Sequence, residues 1–333
     1  MRWLPDDQLV VSVVVPMLDE LGFIADCLSS FAAQTWPMAL LDVIVVDGGS
    51  RDGSRQYVDD LAAEVGWLRV IDNPHRKAAA AFNRGVEASR GDVVCLFSSH
   101  GVADPSYIER SVAVLRETGA AGVGGRYHHT GLDRASQAIG LAMASPYGMA
   151  SQHRYASQRV DVDTISHPAY ARAALHQVGS FDESLERNSD YEFNFRLAAT
   201  GERLVFDPTI ESIYRPRGSL RALSRQFWSY GRWKARVAER HPRSLRPRHL
   251  VPPTALVLGA VIAVFGRGAL VRRVGFVCGA AYYVTLVSAF RMASPRRSGA
   301  SPMVFAAALP TMHVSWGAGF LASLVEDTVK ARR

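Results

Sequence analysis

Four short apolar runs separated by stretches of helical periodicity constrain this chain more than any other feature. They are Val10–Val15, stopping at Pro16; Val43–Val46, stopping at Asp47; Leu68–Ile71; and Asp92–Phe97. Between them lie a helical pattern with Ile24, Leu28 and Phe31 on one face, closed by residues 34–37, and two more at about Ser54–Val65 and Ala78–Ser89. Strands that alternate with helices imply a mostly parallel, doubly wound α/β sheet with helices on both faces. Strands covered on both faces read as unbroken apolar runs, and these do. Such sheets bind ligands beyond the carboxyl ends of their strands. The residues to watch are therefore Pro16–Glu20, Asp47–Asp52 and Ser98–His100, three polar sets at one sheet edge.

Beyond Gly101 the pattern loosens. Tyr107–Leu115, Arg172–Val178 and Glu186–Thr200 read as helices, and Val160–Ile165 reads as a strand. Residues 123–126 fit a short strand or turn. Ser136–Arg159 lacks clean periodicity and is expected as a loop over the site. Leu220–Glu239 reads as a long amphipathic helix with aromatic and basic residues. Three apolar segments follow: Leu250–Phe265, Val274–Phe290 and Met303–Val325. The first two are short for the ~20 residues that a spanning helix needs. The expected organisation is one domain over 1–240, with a nucleotide-binding half at about 8–126 and an acceptor-side half at about 127–240. A membrane region of two to three helices follows at 250–325.

Charge supports that division. Arg232, Lys234, Arg236, Arg240, Arg243, Arg246 and Arg248 crowd the stretch just before the apolar runs. A basic cluster suits nucleic acid or the cytoplasmic edge of a membrane segment. The adjoining apolar runs favour the membrane and exclude nucleic acid as the partner. The three cysteines, Cys27, Cys95 and Cys278, have no metal-binding spacing. The N-terminal residues carry no signal-peptide pattern, so the soluble part is expected in the cytoplasm, at the cell membrane.

Val13-Val-Val-Pro-Met-Leu-Asp-Glu20, Asp47-Gly-Gly-Ser-Arg-Asp-Gly53 and Asn83-Arg-Gly85 resemble, in order, the opening strand, nucleotide turn and next element of glycosyltransferase family 2. A carboxylate at a strand end can accept hydrogen bonds from a base or ribose, and glycines let backbone approach a flat ligand. The resemblance implies a GT-A fold and a nucleotide-sugar donor held by Pro16, Asp19, Glu20, Asp47, Gly48, Ser50, Asp52, Asn83 and Ser98. Phe181-Asp182-Glu183-Ser184 and Asn188-Ser-Asp-Tyr-Glu-Phe-Asn194 are similar to the acceptor-side segment. The implied general base is Asp190, with Glu192 beside it. Acids at a helix start also favour the helix dipole without any catalytic task. Gln226-Phe-Trp-Ser-Tyr-Gly-Arg232-Trp233 resembles the Gln…Arg-Trp element of lipid-linked polysaccharide enzymes, which implies that Gln226, Arg232 and Trp233 meet acceptor and diphosphate. The same helix also reads as an interfacial one. Together with Ser315-Trp-Gly-Ala-Gly-Phe320, these motifs resemble the succinoglycan-biosynthesis subgroup. That subgroup implies an inverting transfer of glucose from UDP-glucose to a polyprenyl-linked glycan in exopolysaccharide synthesis.

One departure bears on the cofactor. The family holds a divalent cation, Mg²⁺ or Mn²⁺, with Asp-x-Asp or Asp-x-His after the fourth strand; here the residues are Ser98-Ser99-His100. Hard cations prefer charged oxygen ligands, so affinity should fall. Three outcomes stay open: His100 ligates a metal with Asp92 or Asp104, arginines such as Arg126 or Arg232 neutralise the diphosphate, or activity is lost and the chain is a silent membrane scaffold. A polyprenyl-phosphate sugar synthase is a further alternative. His167 reads as structural, and His128-His129 lacks a third ligand.

Overall fold

The structure is a computed structural model and describes residues 3–5, 8–148, 155–266 and 268–330. In chain order its main elements begin with β1 (Val11–Met17), α1 (Leu21–Ala32), β2 (Leu41–Asp47), α2 (Ser54–Glu64), β3 (Leu68–Asp72), α3 (Ala78–Ala88) and β4 (Val93–Leu96). There follow β5 (Gly101–Ala103), α4 (Tyr107–Thr118), β6 (Gly122–His129), α5 (Arg134–Ala144), β7 (Val160–Val162), β8 (Ala169–Ala171) and α6 (Arg172–Val178). The chain ends with α7 (Ser189–Ala199), β9 (Leu204–Tyr214), α8 (Leu220–Arg240), α9 (Pro247–Phe265), α10 (Ala269–Ala293) and α11 (Pro302–Lys330). It divides into two compact units: Met1–His128 with Gln152–Tyr214, and His129–Ser151 with Arg215–Arg333.

The first unit is the α/β domain. Its sheet runs β3-β2-β1-β4-β8-β6-β9-β5, with β7 paired to β9. The pairs β1–β2, β2–β3 and β1–β4 are parallel, in the Rossmann-like arrangement expected from the apolar runs. Val11, Val13, Val14 and Val15 are buried, as are Val43–Val46 on the neighbouring strand. Each such side chain contributes about 2 kcal/mol by leaving water. Helix α1 closes one face with Ile24, Leu28 and Phe31, the stripe read from its spacing. From β4 onward the sheet continues in antiparallel pairs, β4–β8, β6–β8, β5–β9 and β7–β9. Short β5 and β8 and the long β9 lie outside the sequence-based expectation. Three-residue strands carry too little periodicity to read, and β9 is interrupted by Asp207-Pro208.

The second unit holds α5 and α8–α11. Residues 136–144, expected within a loop, are helical instead. Asp133 accepts from the backbone N–H of Ala135 and Ser136, Ser136 returns the capping contact, and Ala138, Ile139, Ala142 and Met143 are buried along one face. Residues 149–154 of that expected loop lie outside the described ones. Helices α9, α10 and α11 have 19, 25 and 29 residues. All three contain segments long and apolar enough to cross a membrane. The second is longer than its apolar core suggested, because arginines at both ends continue the helix.

Candidate active site

Three loops leave the carboxyl ends of β1, β2 and β4, and side-chain contacts tie them together. Asp47 ends β2 with only 2% of its surface exposed. Its carboxylate accepts from the backbone N–H of Gly49 at 3.1 Å and from the Ser50 hydroxyl at 2.6 Å. This turn needs Gly49 in the left-handed region, at φ 80°, which a side chain rarely adopts. Ser50 passes the connection on: Asp19 donates its N–H to Ser50 Oγ at 2.9 Å, while Asp19 Oδ1 accepts from the Arg51 N–H at 2.7 Å. Asp52 accepts from the Leu21 N–H at 2.9 Å. The Ser54 hydroxyl, followed by that backbone bond, holds the Asp52 carboxyl below the usual carboxylate range. Gly48 donates its N–H to the Met17 carbonyl at 2.8 Å, and Pro16 pairs with Val46 in the ladder.

The third loop joins through Glu20 and His100, whose Oε2 and Nδ1 lie 3.2 Å apart. Ser98 precedes His100, and its carbonyl accepts from the Gly101 N–H at 2.8 Å. The other acids weighed as partners of His100 are engaged elsewhere. Asp92 precedes β4, at the opposite end of that strand, and accepts from the Val10 N–H; Asp104 caps Ser106. Among the described residues no three His, Cys, Asp or Glu side chains gather as a metal site. One imidazole and one carboxylate already paired to each other are a poor donor set for a hard cation. The side chains present therefore do not fit a resident divalent ion by themselves. Arg126 donates to the Ala156 carbonyl.

An aromatic wall that sequence reasoning missed flanks His100. Tyr214 meets its ring edge-on at 5.5 Å and stacks on Tyr127 at 5.8 Å. Tyr127 in turn meets His167, which stacks on Phe97 at 3.9 Å. His167 Nδ1 lies 2.9 Å from Ser212 Oγ, consistent with the structural role read for it. The signal that could have found this wall is the aromatic end of β9, a strand hidden by its proline.

On α7 the two acids differ. Asp190 is exposed in the first turn, near Tyr170: burial, then the Asp190 carboxylate, pushes the Tyr170 phenol well above its usual range. Glu192 is buried and pairs in two-pronged fashion with Arg196, at 2.7 and 3.0 Å. Arg196 also donates to the carbonyls of Val178 and Ser180, so Glu192 anchors the helix. Asn83 accepts from the Phe181 N–H and donates to the Phe181 carbonyl and to Glu183, clasping the turn ahead of α7.

In the second unit, α8 carries the remaining expected residues. Gln226 donates to the Tyr230 hydroxyl at 2.8 Å. Arg232 pairs with Glu326 of α11 at 2.8 Å, and Arg236 reaches the same carboxylate at 3.4 Å. Trp233 is 8% exposed, with the Arg236 guanidinium 4.6 Å over its ring. Glu326 went unread in the sequence, where it is one acid at the end of an apolar run.

Residues 12–178 match the model of the family described as "Glycosyl transferase family 2". Over 94% of both chains, the sequence is 30% identical to the succinoglycan biosynthesis protein ExoA of Rhizobium meliloti (strain 1021). The chain belongs to glycosyltransferase family 2. A second relative, from Methanococcus voltae, is 24% identical over 66% of this chain and 71% of its own; its name is dolichyl N-acetyl-alpha-D-glucosaminyl phosphate 3-beta-D-2,3-diacetamido-2,3-dideoxy-beta-D-glucuronosyltransferase. Among solved structures, the mannosyltransferase PcManGT of Pyrobaculum calidifontis, in complex with GDP-Man and Mn²⁺, superimposes with a TM-score of 0.61 at 17% identity. The match covers 94% of this chain and 88% of that one. The S. aureus TarS 1–349 structure with UDP gives 0.53 at 16% identity, covering 95% and 92%. The fold is GT-A, and this family 2 member is a glycosyltransferase.

Proposed function

We propose that this enzyme transfers glucose from UDP-glucose, with inversion, to a polyprenyl-linked glycan during cell-surface or exopolysaccharide synthesis. The observation that carries the reading is the joining of the three strand-end loops through Asp19–Ser50, Leu21–Asp52 and Glu20–His100. Such a set of fixed carboxylates and backbone groups suits the hydroxyls and base of a nucleotide. Pro16, Asp19, Glu20, Asp47, Gly48, Ser50 and Asp52 form the donor face, with Ser98 and His100 at the diphosphate. Asp190 takes the proton of the acceptor hydroxyl, whose oxygen forms the new bond to the anomeric carbon as the nucleoside diphosphate leaves from the opposite face. Asn83 and Glu192 hold the segments that present Asp190. Gln226, Arg232 and Trp233 meet the acceptor and its diphosphate, where a guanidinium favours phosphate oxygens.

The names of the relatives support this choice: one belongs to succinoglycan biosynthesis, and the other names a sugar on a dolichyl carrier. The three apolar helices support placement at the cell membrane, and the arginines before them favour a cytoplasmic catalytic unit. Ser98 stands where the family pattern has the acid that would hold a metal ion. The test is turnover of purified, detergent-solubilised protein across UDP- and GDP-sugars with lipid-linked acceptors, in Mn²⁺ and in EDTA. The expected result is transfer from UDP-glucose with inverted configuration, read by NMR. If no donor binds or turns over, the silent-scaffold reading, favoured by Ser98, replaces this one.

A further inference from the structure

The aromatic rings beside His100 form one stack that runs from the core of the α/β unit to its ligand edge. At the inner end Tyr107 and Phe97, both 1% exposed, meet edge-on at 5.3 Å. His167, also buried, lies flat on Phe97, and Tyr127 meets His167 at 4.5 Å. Tyr214 follows, its ring tilted by only 20° from that of Tyr127. These last two rings are half-buried, unlike the three beneath them. The floor under them is fixed. Ser212 holds His167, and a Cβ at Gly101 would strike the Phe97 and His167 rings at 2.6 and 2.7 Å. An aromatic face locked by such packing is preorganised for a ligand.

Topology sets the place of the two tyrosines. Strand β8 is antiparallel to both β4 and β6, so β6 runs in the direction of β4. Tyr127, near the end of β6, therefore falls at the same edge as His100. Tyr214, the last residue of β9, pairs with Gly101, the residue after His100. In the sheet order Asp47 ends β2, His100 follows β4 two strands on, and β6 lies two strands further. At ~4.8 Å between strands, each of these steps is about 10 Å. With the base at Asp47 and Asp52 and the diphosphate at His100, as proposed above, the group joined to the diphosphate comes next, over Tyr127 and Tyr214.

The chemistry of the platform suits a sugar ring. A hexopyranose carries hydroxyls around its rim and C–H bonds on its faces. Those hydrogens are slightly positive and the face of a phenol ring is negative, so the two faces attract beyond their buried area. Glu20 and His100, with 12% and 16% of their side chains exposed, stand at the rim where hydroxyls need polar partners. A nucleobase could stack in the same way, but the donor face proposed for it lies four strands away at β2.

We propose that Tyr127 and Tyr214 form a stacking platform for the hexosyl group of the nucleotide-sugar donor. The platform rests on the donor site proposed above and adds what holds the sugar.

Calorimetric titration of the purified full chain with UDP-glucose and with UDP tests it. Tyr127→Leu and Tyr214→Leu are each expected to weaken UDP-glucose about fivefold, while UDP keeps its affinity within about twofold. Tyr214→Phe, which retains the ring face, should bind UDP-glucose as wild type does. Equal losses for UDP and UDP-glucose, or no loss, would overturn the proposal. An effect confined to the KM of the acceptor would also overturn it and move the platform to the acceptor side. A second measurement needs no variant: irradiation of the protein's aromatic protons should transfer magnetisation to the glucosyl C–H protons of bound UDP-glucose. The transfer should weaken when tyrosine is ring-deuterated, and undiminished transfer would refute the platform. If the wild-type chain binds UDP but gains nothing from the glucosyl group, the platform alone fails. If it binds neither ligand, the donor reading falls and takes the platform with it.

Discussion

Glu20 Oε2 and His100 Nδ1 stand 3.2 Å apart, linking the loop after β1 to the turn after β4 across two neighbouring parallel strands. The imidazole that the family pattern would give to a metal faces a carboxylate of its own chain. Restoring the missing acid should change that balance. Ser98→Asp is expected to raise Mn²⁺ affinity at least about tenfold in the presence of UDP, or ~1.4 kcal/mol. Mn²⁺ titration followed by EPR checks it, and equal affinity in the two proteins would count against a metal deficit at Ser98.

Asp190, the base proposed above, is exposed in the first turn of α7. Asp190→Asn should therefore leave the melting temperature and the donor Kd nearly unchanged, while kcat falls about a hundredfold or more, as loss of a general base does. Full turnover by a folded variant would remove the base assignment.

Asp47 is buried beneath its turn and belongs to the donor face proposed above. Asp47→Ala leaves the N–H groups of Gly49 and Ser50 and the Ser50 hydroxyl without their common acceptor. Loss of about 2 kcal/mol of stability is expected from the buried site, with UDP affinity reduced at least about tenfold. Calorimetric titration and thermal melting read the two effects separately.

Acid stability should trace to Asp42. Burial pushes its carboxyl up, but hydrogen bonds from Arg69 and Ser12 outweigh this and hold it below the usual carboxylate range. A group lowered in the folded state gives stability that is present above its unfolded value, near 4, and is lost as pH falls through its folded one. Asp42→Asn should thus be less stable than wild type at pH 7 by about 2 kcal/mol, and the gap should shrink below pH 4. Denaturant melts at pH 7 and pH 3 measure it; a gap independent of pH would show that Asp42 is not the titrating group.

Helix α8 meets α11 at Gly231, where a Cβ would enter the Trp316 carbonyl. Gly231→Val is expected to cost about 2–3 kcal/mol by overpacking. The same change at Gly279, which has open space around it, should cost less than 1 kcal/mol. Thermal melts in detergent compare the two.

Local chemistry made much of this protein legible. Unbroken valine runs fit only strands covered on both faces, so β1, β2 and β4 could be placed from residues 10–15, 43–46 and 92–97 alone. The acids and glycines after them had to fall at one edge, since parallel strands share a direction. What the sequence could not settle depends on partners distant along the chain. Tyr214 joins His100 because β9 returns antiparallel beside β5, a pairing that Pro208 conceals from any periodicity. Asp133 and Ser136 turn an expected loop into α5 through a capping pair whose value appears only when the apolar face behind it is buried. Most of all, α11 has the composition of its two neighbours and far more burial, 44% of its apolar window against 6%. Hydropathy counts what a helix is made of, while burial records what it touches, and only the tertiary structure supplies α8, Glu326's arginines and the glycine contacts that cover it.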